Sequence, residues 1–153
     1  MRNIFLVLVV ILIEVLCFSG TSFAGSDKAV LPFSVVASGN NSGYDERTLL
    51  LVETREEWET VWATANSRVL PAPPLPRIDF QTHFAAAVFM GQKPTGGYSV
   101  HVDSIIDEGN RVVIFLRDEF PPEDAMLTQA LTQPWQVVVF ERTCKPVFFK
   151  TLE

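Results

Sequence analysis

Apolar residues follow two different patterns along this chain. Runs of strand length, separated by glycine, proline and acidic residues, recur through most of the sequence, whereas one segment near residue 60 has apolar residues three and four positions apart. Short apolar or alternating runs are typical of β-strands, and the wider spacing is typical of an amphipathic helix. We therefore expect a chain made mostly of strands, with a single helix.

The helical segment begins after Thr54, where residues 54–57 read Thr-Arg-Glu-Glu. This matches a capping box, in which the Thr54 hydroxyl and the Glu57 carboxylate satisfy backbone amides that have no partner within the helix. The predicted helix runs to about Asn66. Its apolar stripe consists of Trp58, Val61, Trp62 and Ala65. The two indoles form either a ligand platform or, more commonly, the face that docks the helix onto a sheet.

The predicted strands cover residues 33–37, 48–53, 84–90, 98–107, 111–117, 135–142 and 146–150. The run 84–90 is nearly all apolar, which is typical of a central strand buried on both faces. Residues 107–110, Asp-Glu-Gly-Asn, indicate a hairpin turn between two of the strands. Because most strands follow one another as hairpins, we expect one mostly antiparallel sheet of six or seven strands with the helix packed on it, an α+β domain.

The N-terminal residues have the order of a secretory signal peptide. Arg2 supplies a positive charge, residues 4–13 are continuously apolar, and small residues precede an expected cleavage site after Ala24. This predicts a signal peptide over residues 1–24, a single domain over residues 25–153, and a periplasmic or secreted protein. The apolar run is shorter than the roughly 20 residues that cross a bilayer, although an uncleaved anchor is the competing interpretation.

The two cysteines carry little functional signal. The residues before Cys17, Glu-Val-Leu, lack the small side chains of a lipid-attachment site, so membrane attachment after cleavage is not expected. Removal of the leader leaves Cys144 as the one thiol, and no internal disulfide can form. Cys144 is either an ordinary residue near a strand end or a group that pairs with a partner or acts as a nucleophile.

The charge balance restricts the class of partner. The full chain has a net charge of −6, and loss of Arg2 and Glu14 with the leader leaves that value unchanged. An acidic protein is poorly suited to bind nucleic acid or an anionic membrane surface. We therefore expect neither nucleic acid nor an anionic membrane surface as a partner; a protein partner is expected from the candidate contact segments described below.

Motifs for catalysis, metals and cofactors are lacking. There is no Gly-x-Ser-x-Gly elbow, and His83 and His101 have no metal-ligand spacing around them. The acidic residues in 118–124, on both sides of Pro121-Pro122, lack the alternation of a calcium loop and would act as a glycosidase pair only across a cleft. We expect no enzymatic activity, no metal and no cofactor.

The most informative segment is residues 91–98, Gly-Gln-Lys-Pro-Thr-Gly-Gly-Tyr. Its glycine spacing superficially matches a phosphate loop, but Gly-Tyr and a strand follow where Lys-Ser/Thr and a helix are needed. Pro94 restricts the backbone and the paired glycines permit unusual conformations, so the loop is expected to hold Thr95 and Tyr98 rigidly as a contact surface. A hairpin turn with structural glycines is the alternative.

Residues 133–135, Gln-Pro-Trp, form a second candidate segment. Trp135 is either an exposed interface anchor or a core residue at the start of its strand. The candidate partner-binding residues are Lys93, Pro94, Thr95, Gly96, Gly97, Tyr98, Gln133, Pro134 and Trp135.

Two family resemblances rest on these segments. The Gly-x-x-x-Thr-Gly-Gly-Tyr segment at residues 91–98, followed by an alternating strand and by Thr-Gln-Pro at 132–134, resembles the PrcB C-terminal domain family of exported bacterial proteins. The resemblance covers roughly residues 48–152. It implies an accessory subunit that associates with a protease complex. The lipid anchor common in that family is not carried over, because the context of Cys17 differs.

The second resemblance is weaker. Residues 93–98 and 133–135 are similar to two of the three inhibitory loops of chagasin-type cysteine-protease inhibitors. Those inhibitors have an immunoglobulin-like fold without the predicted helix. They also have an arginine at the position of Gln133. Together the patterns predict a non-catalytic exported binding module, an accessory subunit or modulator of a protease complex. The alternatives are a module for a small ligand or cell-wall glycan, lined by Trp135, Tyr98 and the acidic loop, and a protease inhibitor that uses the loop 95–98.

Overall fold

The computed structural model describes residues 28–152. In this part of the chain eight strands form two four-stranded sheets, accompanied by one helix. The elements are β1 (Ala29–Val30), β2 (Phe33–Gly39), β3 (Thr48–Val52), α1 (Arg55–Ala65), β4 (His83–Phe89), β5 (Ser99–Asp107), β6 (Val112–Glu119), β7 (Trp135–Glu141) and β8 (Val147–Thr151). The predicted signal peptide, its cleavage site and Cys17 lie outside the described residues.

The two sheets have different strand orders. One sheet, which we call the β5–β6 sheet, has the order β1-β5-β6-β8, and the other, the β4–β7 sheet, has the order β2-β7-β4-β3. All neighbours are antiparallel except β6 and β8, which run parallel. The α+β class is consistent with this arrangement of mostly β structure and one helix.

The prediction of a single sheet with six or seven strands was wrong. There are two sheets, the short strand β1 was not predicted, and β7 and β8 do not pair with each other as a terminal hairpin. Instead β8 crosses to the other sheet and pairs with β6. The apolar pattern of a strand shows that it is buried, but it does not show which neighbour forms its hydrogen bonds, so this pairing could not be derived from the sequence.

One hydrophobic core lies between the two sheets. Its buried members are Phe84, Ala86, Val88, Met90, Val100, Val102, Ile105, Val112, Ile114, Leu116, Val138 and Phe140. The alternate residues of β4, including Ala85, Ala87 and Phe89, belong to a second cluster on the other face of the β4–β7 sheet. The prediction that this strand is central and buried on both faces is therefore confirmed.

Helix α1 covers the outer face of the β4–β7 sheet. Its predicted apolar stripe is buried in the second cluster, and Trp58 is only 1% exposed. The Trp58 Nε1 group donates to the Pro76 carbonyl over 2.9 Å, and the Trp62 Nε1 group donates to the Pro73 carbonyl over 3.1 Å. The indoles therefore dock the helix onto the sheet and bind residues 69–76, which we call the proline-rich connection. They do not form an exposed ligand platform.

The local signals at the helix start and at the hairpin are also confirmed. The Glu57 amide donates to the Thr54 hydroxyl over 3.2 Å, and the Glu57 carboxylate accepts from the Thr54 amide over 3.3 Å, which completes the capping box. At the β5–β6 turn Gly109 has a φ of 88°, and its amide donates to the Asp107 carboxylate over 2.8 Å. Within the described chain, the helix is too short to cross a bilayer.

Candidate functional site: a surface formed by two paired loops

Two connections lie side by side at one end of the sheets. Residues 90–98 join β4 to β5, and residues 120–134 join β6 to β7. The Lys93 amide donates to the Thr132 carbonyl over 2.7 Å, and the Thr132 amide donates back to the Lys93 carbonyl over 3.0 Å. This isolated antiparallel bridge brings together the two segments that the sequence singled out separately.

Further hydrogen bonds make the pair of loops stiff. The Gly96 amide donates to the Thr128 carbonyl over 3.0 Å, and the Thr132 hydroxyl donates to the Thr95 carbonyl over 2.8 Å. These bonds join residues 93–96 of the first loop to Thr128 and Thr132 of the second, so these parts of the two loops are held together. The rigidity predicted from proline and glycine is thus supported by cross-loop bonding that the sequence did not reveal.

Glycine is required at two positions of the first loop. Gly97 has a φ of 85°, and a Cβ atom on it would lie 2.8 Å from the Cβ of Pro121. Gly91 has a φ of 78°, and its Cβ would lie 2.8 Å from the Arg47 amide nitrogen. Gly96 has no positive φ, and its Cβ would make an ordinary 3.5 Å contact with Thr128. The expectation of unusual backbone at the glycine pair is correct for Gly97 and wrong for Gly96.

The side chains of the first loop lie at the rim of the domain. Pro94 and Gly97 are exposed, whereas Lys93, Thr95 and Tyr98 are half-buried. Tyr98 packs partly against the core between the sheets, and the Lys93 ammonium lies 5.8 Å from the centre of its ring. The Thr95 hydroxyl donates to the neighbouring Gly96 carbonyl over 3.1 Å. Only part of the predicted contact loop is therefore accessible.

The second loop carries exposed apolar side chains that the sequence reasoning missed. Phe120 is 66% exposed, Met126 is fully exposed, and Leu131 is 58% exposed. From the sequence, the stretch around Pro121 was considered only for its acidic residues. The missed signal was the presence of large apolar residues inside a segment of loop composition. We call residues 93–98 together with residues 120–131 the paired-loop surface.

The segment 133–135 does not contribute side chains to this surface. Gln133 is 3% exposed, Pro134 is fully buried, and Trp135 is 6% exposed. The Trp135 ring stacks on Phe89 with centroids 6.0 Å apart, and its Nε1 donates to the Asn41 carbonyl over 2.9 Å. The interpretation of Trp135 as an exposed anchor was therefore wrong and the core alternative was correct, since the ring is sequestered below α1. A groove lined jointly by Trp135 and Tyr98 is not formed.

A polar cluster lies next to the paired-loop surface, on the outer face of the β5–β6 hairpin. The register of this hairpin sets Ser99 opposite Glu119, and the Ser99 hydroxyl donates to the Glu119 carboxylate over 2.6 Å. His101 Nε2 lies 3.0 Å from the Ser99 oxygen and 3.4 Å from the carboxylate. The hydrogen bond from Ser99, followed by His101, lowers the pKa of Glu119 below its usual value.

This cluster differs from a serine-protease type of triad. In a triad the acid binds the Nδ1 side of the imidazole and the serine binds Nε2, so that the histidine can take the hydroxyl proton. Here serine and glutamate both meet Nε2, and the hydroxyl already donates to the carboxylate. The contacts therefore hold the start of β5 to the end of β6 and do not activate the hydroxyl.

The other candidate chemical groups are dispersed. His83 Nδ1 contacts the Thr82 hydroxyl at 2.8 Å, and Asp118 forms an ion pair with Arg47 at 2.7 Å. Cys144 is a free, exposed thiol. Within residues 28–152 no three histidine, cysteine, aspartate or glutamate side chains are close enough together to hold a metal ion.

Comparison with known protein families gives a match over the central segment. Residues 85–141 match the family model described as PrcB C-terminal, so the resemblance seen in the sequence is confirmed over this segment. The matched span runs from β4 to β7 and contains both loops of the paired-loop surface. No curated protein and no solved structure matches the chain.

Proposed function

We propose that this chain is a non-catalytic exported binding module, an accessory subunit that associates with an extracytoplasmic protease complex through the paired-loop surface. The family match supports a module of the protease-associated kind. The N-terminal signal pattern supports export, with cleavage after Ala24. The paired-loop surface supplies the contact.

One observation carries the proposal: three large apolar side chains are exposed on one loop, within residues 120–131. Phe120, Met126 and Leu131 are all more than half exposed, although the loop that bears them is bonded to its neighbour at Thr128 and Thr132. Clustered exposed apolar groups mark interaction sites more often than single ones do. Each gains on the order of 1.5–3 kcal/mol when fully buried, and little of that is offset by ordering a loop that is already ordered.

The binding experiment uses two variants that differ in where they remove apolar surface. The protein is captured with its partners from the bacterial envelope, the protease among them is purified, and direct binding is measured. The double variant Phe120→Ser/Met126→Ser should weaken binding at least tenfold. Leu70→Ser is the matched control, because Leu70 is 92% exposed on the proline-rich connection and belongs to neither loop of the paired-loop surface. Equal binding by both variants would contradict the proposal.

Protease activity distinguishes an accessory subunit from an inhibitor. An accessory subunit should leave the protease active and slow its thermal inactivation, since a ligand that binds only the folded form stabilises it. An inhibitor that inserts residues 95–98 into the active site should abolish peptide cleavage at stoichiometric concentration. The accessory proposal fails if cleavage stops when the purified chain is added.

Export is tested separately from binding. N-terminal sequencing of the protein recovered from the extracytoplasmic fraction should begin at Gly25. Recovery in the cytoplasm with an intact leader would contradict export.

A further inference from the structure

A row of apolar side chains crosses the outer face of the β5–β6 sheet. The pairing register aligns Val30 with Ile106, Ile106 with Val113, and Val113 with Phe148, so that each of the four strands contributes one residue at the same level. The sequence neighbours of these residues, among them Ile105, Ile114 and Phe149, point into the core between the sheets. The row therefore lies on the opposite face.

This outer face has no covering element among residues 28–152. The equivalent outer face of the β4–β7 sheet is covered by α1 and the proline-rich connection. Antiparallel sheets with one solvated face normally carry polar residues on it. Here Val30 is 71% exposed and Phe148 is 50% exposed at the two ends of the row, while Val113 at its centre is only 5% exposed.

The residues two positions from the row along the strands extend the apolar surface. Phe115 lies between Ser104 on β5 and Lys150 on β8, and its ring is half-buried. The Lys150 ammonium lies 5.9 Å from the centre of that ring. The apolar region is thus a patch two residues deep along the strands.

The charges bordering this patch are of both signs in nearly equal number. They are Lys28, Arg111, Arg117, Lys150, Asp103, Glu108 and Glu119. The chain as a whole has a net charge of −6, so the rest of the chain carries an excess of negative charge. A nearly balanced border allows two copies of the same face to approach each other without repulsion between like charges.

We propose that this face is the interface of a symmetric dimer, and that its occupant is a second copy of the chain. Closed two-fold dimers bring the same patch of both subunits together. Packed sheets keep their strand directions within about 30° of each other, so the two-fold axis lies in the interface either along the strands or across them. With the axis along the strands the two rows run in opposite directions, with Phe148 over Val30 of the second copy and Val113 over Ile106.

This arrangement pairs the bulky exposed end of each row with the small exposed end of the other. Rows running in the same direction would instead set Phe148 against Phe148 and hold the central valines apart. Interfaces pack to nearly the density of protein interiors, so the arrangement that places large against small is favoured.

Sedimentation equilibrium of the purified protein, from about 1 to about 100 µM, tests the dimer directly. The wild-type chain should dimerise in this range. Val30→Asp and Phe148→Asp should each weaken association at least tenfold, and both should keep the far-ultraviolet circular dichroism of the folded chain because the residues are exposed. Leu70→Asp is the control and should dimerise normally. A monomer at the highest concentration, or undiminished association of both row variants, overturns the proposal.

Crosslinking tests which residues face each other. In a Cys144→Ser background, chains with Val30→Cys and chains with Phe148→Cys are mixed and treated with a short bis-maleimide. The mixture should crosslink, whereas each variant alone should not, because the ends of the row are about 14 Å apart across three strand spacings. Crosslinking of either variant alone to the same yield as the mixture overturns the arrangement. Since Phe120→Ser lies outside this face, it should leave the dimer intact even if it abolishes binding to the protease.

Discussion

The rings of Tyr98 and Phe120 meet edge to face, with centroids 6.0 Å apart and planes inclined by 80°. Tyr98 is half-buried against the core, whereas Phe120 is 66% exposed. Such an aromatic pair stabilises its geometry by about 0.5–1.5 kcal/mol beyond the area it buries. The contact therefore orients an exposed aromatic side chain by attaching it to one that the core already holds.

The glycine pair of the first loop offers a matched test of backbone strain. Gly97→Ala should reduce the free energy of unfolding by about 1–3 kcal/mol, because alanine is strained at a positive φ and its Cβ would overlap Pro121. Gly96→Ala should change it by less than about 0.5 kcal/mol. Urea unfolding of both variants measures the difference. Equal values would show that the close approach of the two loops is not maintained in solution.

The burial of Trp135 leads to a second prediction. Trp135→Ala should destabilise the domain by about 3–5 kcal/mol, since it removes a ring packed on Phe89 and leaves the Asn41 carbonyl without its indole donor. Phe120→Ala removes a ring that is 66% exposed, so its cost should not exceed the roughly 1.5 kcal/mol of the edge contact with Tyr98. Thermal or denaturant unfolding measures both. A small effect at Trp135 would indicate that the ring is accessible, as the anchor interpretation required.

The capping box should contribute measurably to the stability of α1. Thr54→Ala removes the hydroxyl that accepts the Glu57 amide and should reduce the free energy of unfolding by about 1 kcal/mol. Thr60→Ala is the control, because Thr60 lies on the exposed face of the same helix and its hydroxyl donates to the Glu56 carbonyl one turn earlier. It should be neutral or slightly stabilising, because alanine has the higher helix propensity. Equal losses from both variants would argue against the cap.

Acid should destabilise the β5–β6 hairpin. The Lys145 ammonium, aided by the Gly109 amide, lowers the pKa of Asp107, and the Arg117 guanidinium lowers the pKa of Asp103. Because these folded-state pKa values are lower than those of the unfolded chain, the carboxylates stabilise the fold fully above about pH 4, the range in which unfolded aspartate titrates. That contribution is lost as the pH falls through the folded-state pKa values.

The acid effect is measured by following the free energy of unfolding from pH 7 to pH 2. The wild-type stability should fall steadily below about pH 4. Lys145→Met should raise the pKa of Asp107 measured by nuclear magnetic resonance and should make the acid limb of the curve less steep. An unchanged pKa of Asp107 in that variant would contradict the ion pair.

Local signals allowed much of the structure to be predicted. The capping box at Thr54, the hairpin turn before Gly109 and the doubly buried strand β4 were all recognisable, because each depends on residues close together in the chain. The family was also recognisable, since its motif lies within a few residues of Tyr98. For the same reason the first loop could be identified as a stiff segment.

The functional surface was predicted only in part. Lys93 and Tyr98 do lie at the rim beside the second loop, but Trp135 is in the core and the exposed Phe120 was not predicted to contribute. An apolar residue in a loop is exposed or buried according to what the rest of the fold places over it. The sequence around Phe120 does not show whether another part of the fold lies over its ring.

By itself, the sequence determined the single helix of residues 28–152 and the position of most strands, because hydrophobic periodicity and end signals act over a few residues. Only the tertiary structure decided that the strands form two sheets, that β8 pairs with β6, and that apolar residues of four strands align on one open face. The physical reason is that strand pairing joins residues far apart in the chain. Its register depends on how all the strands pack together.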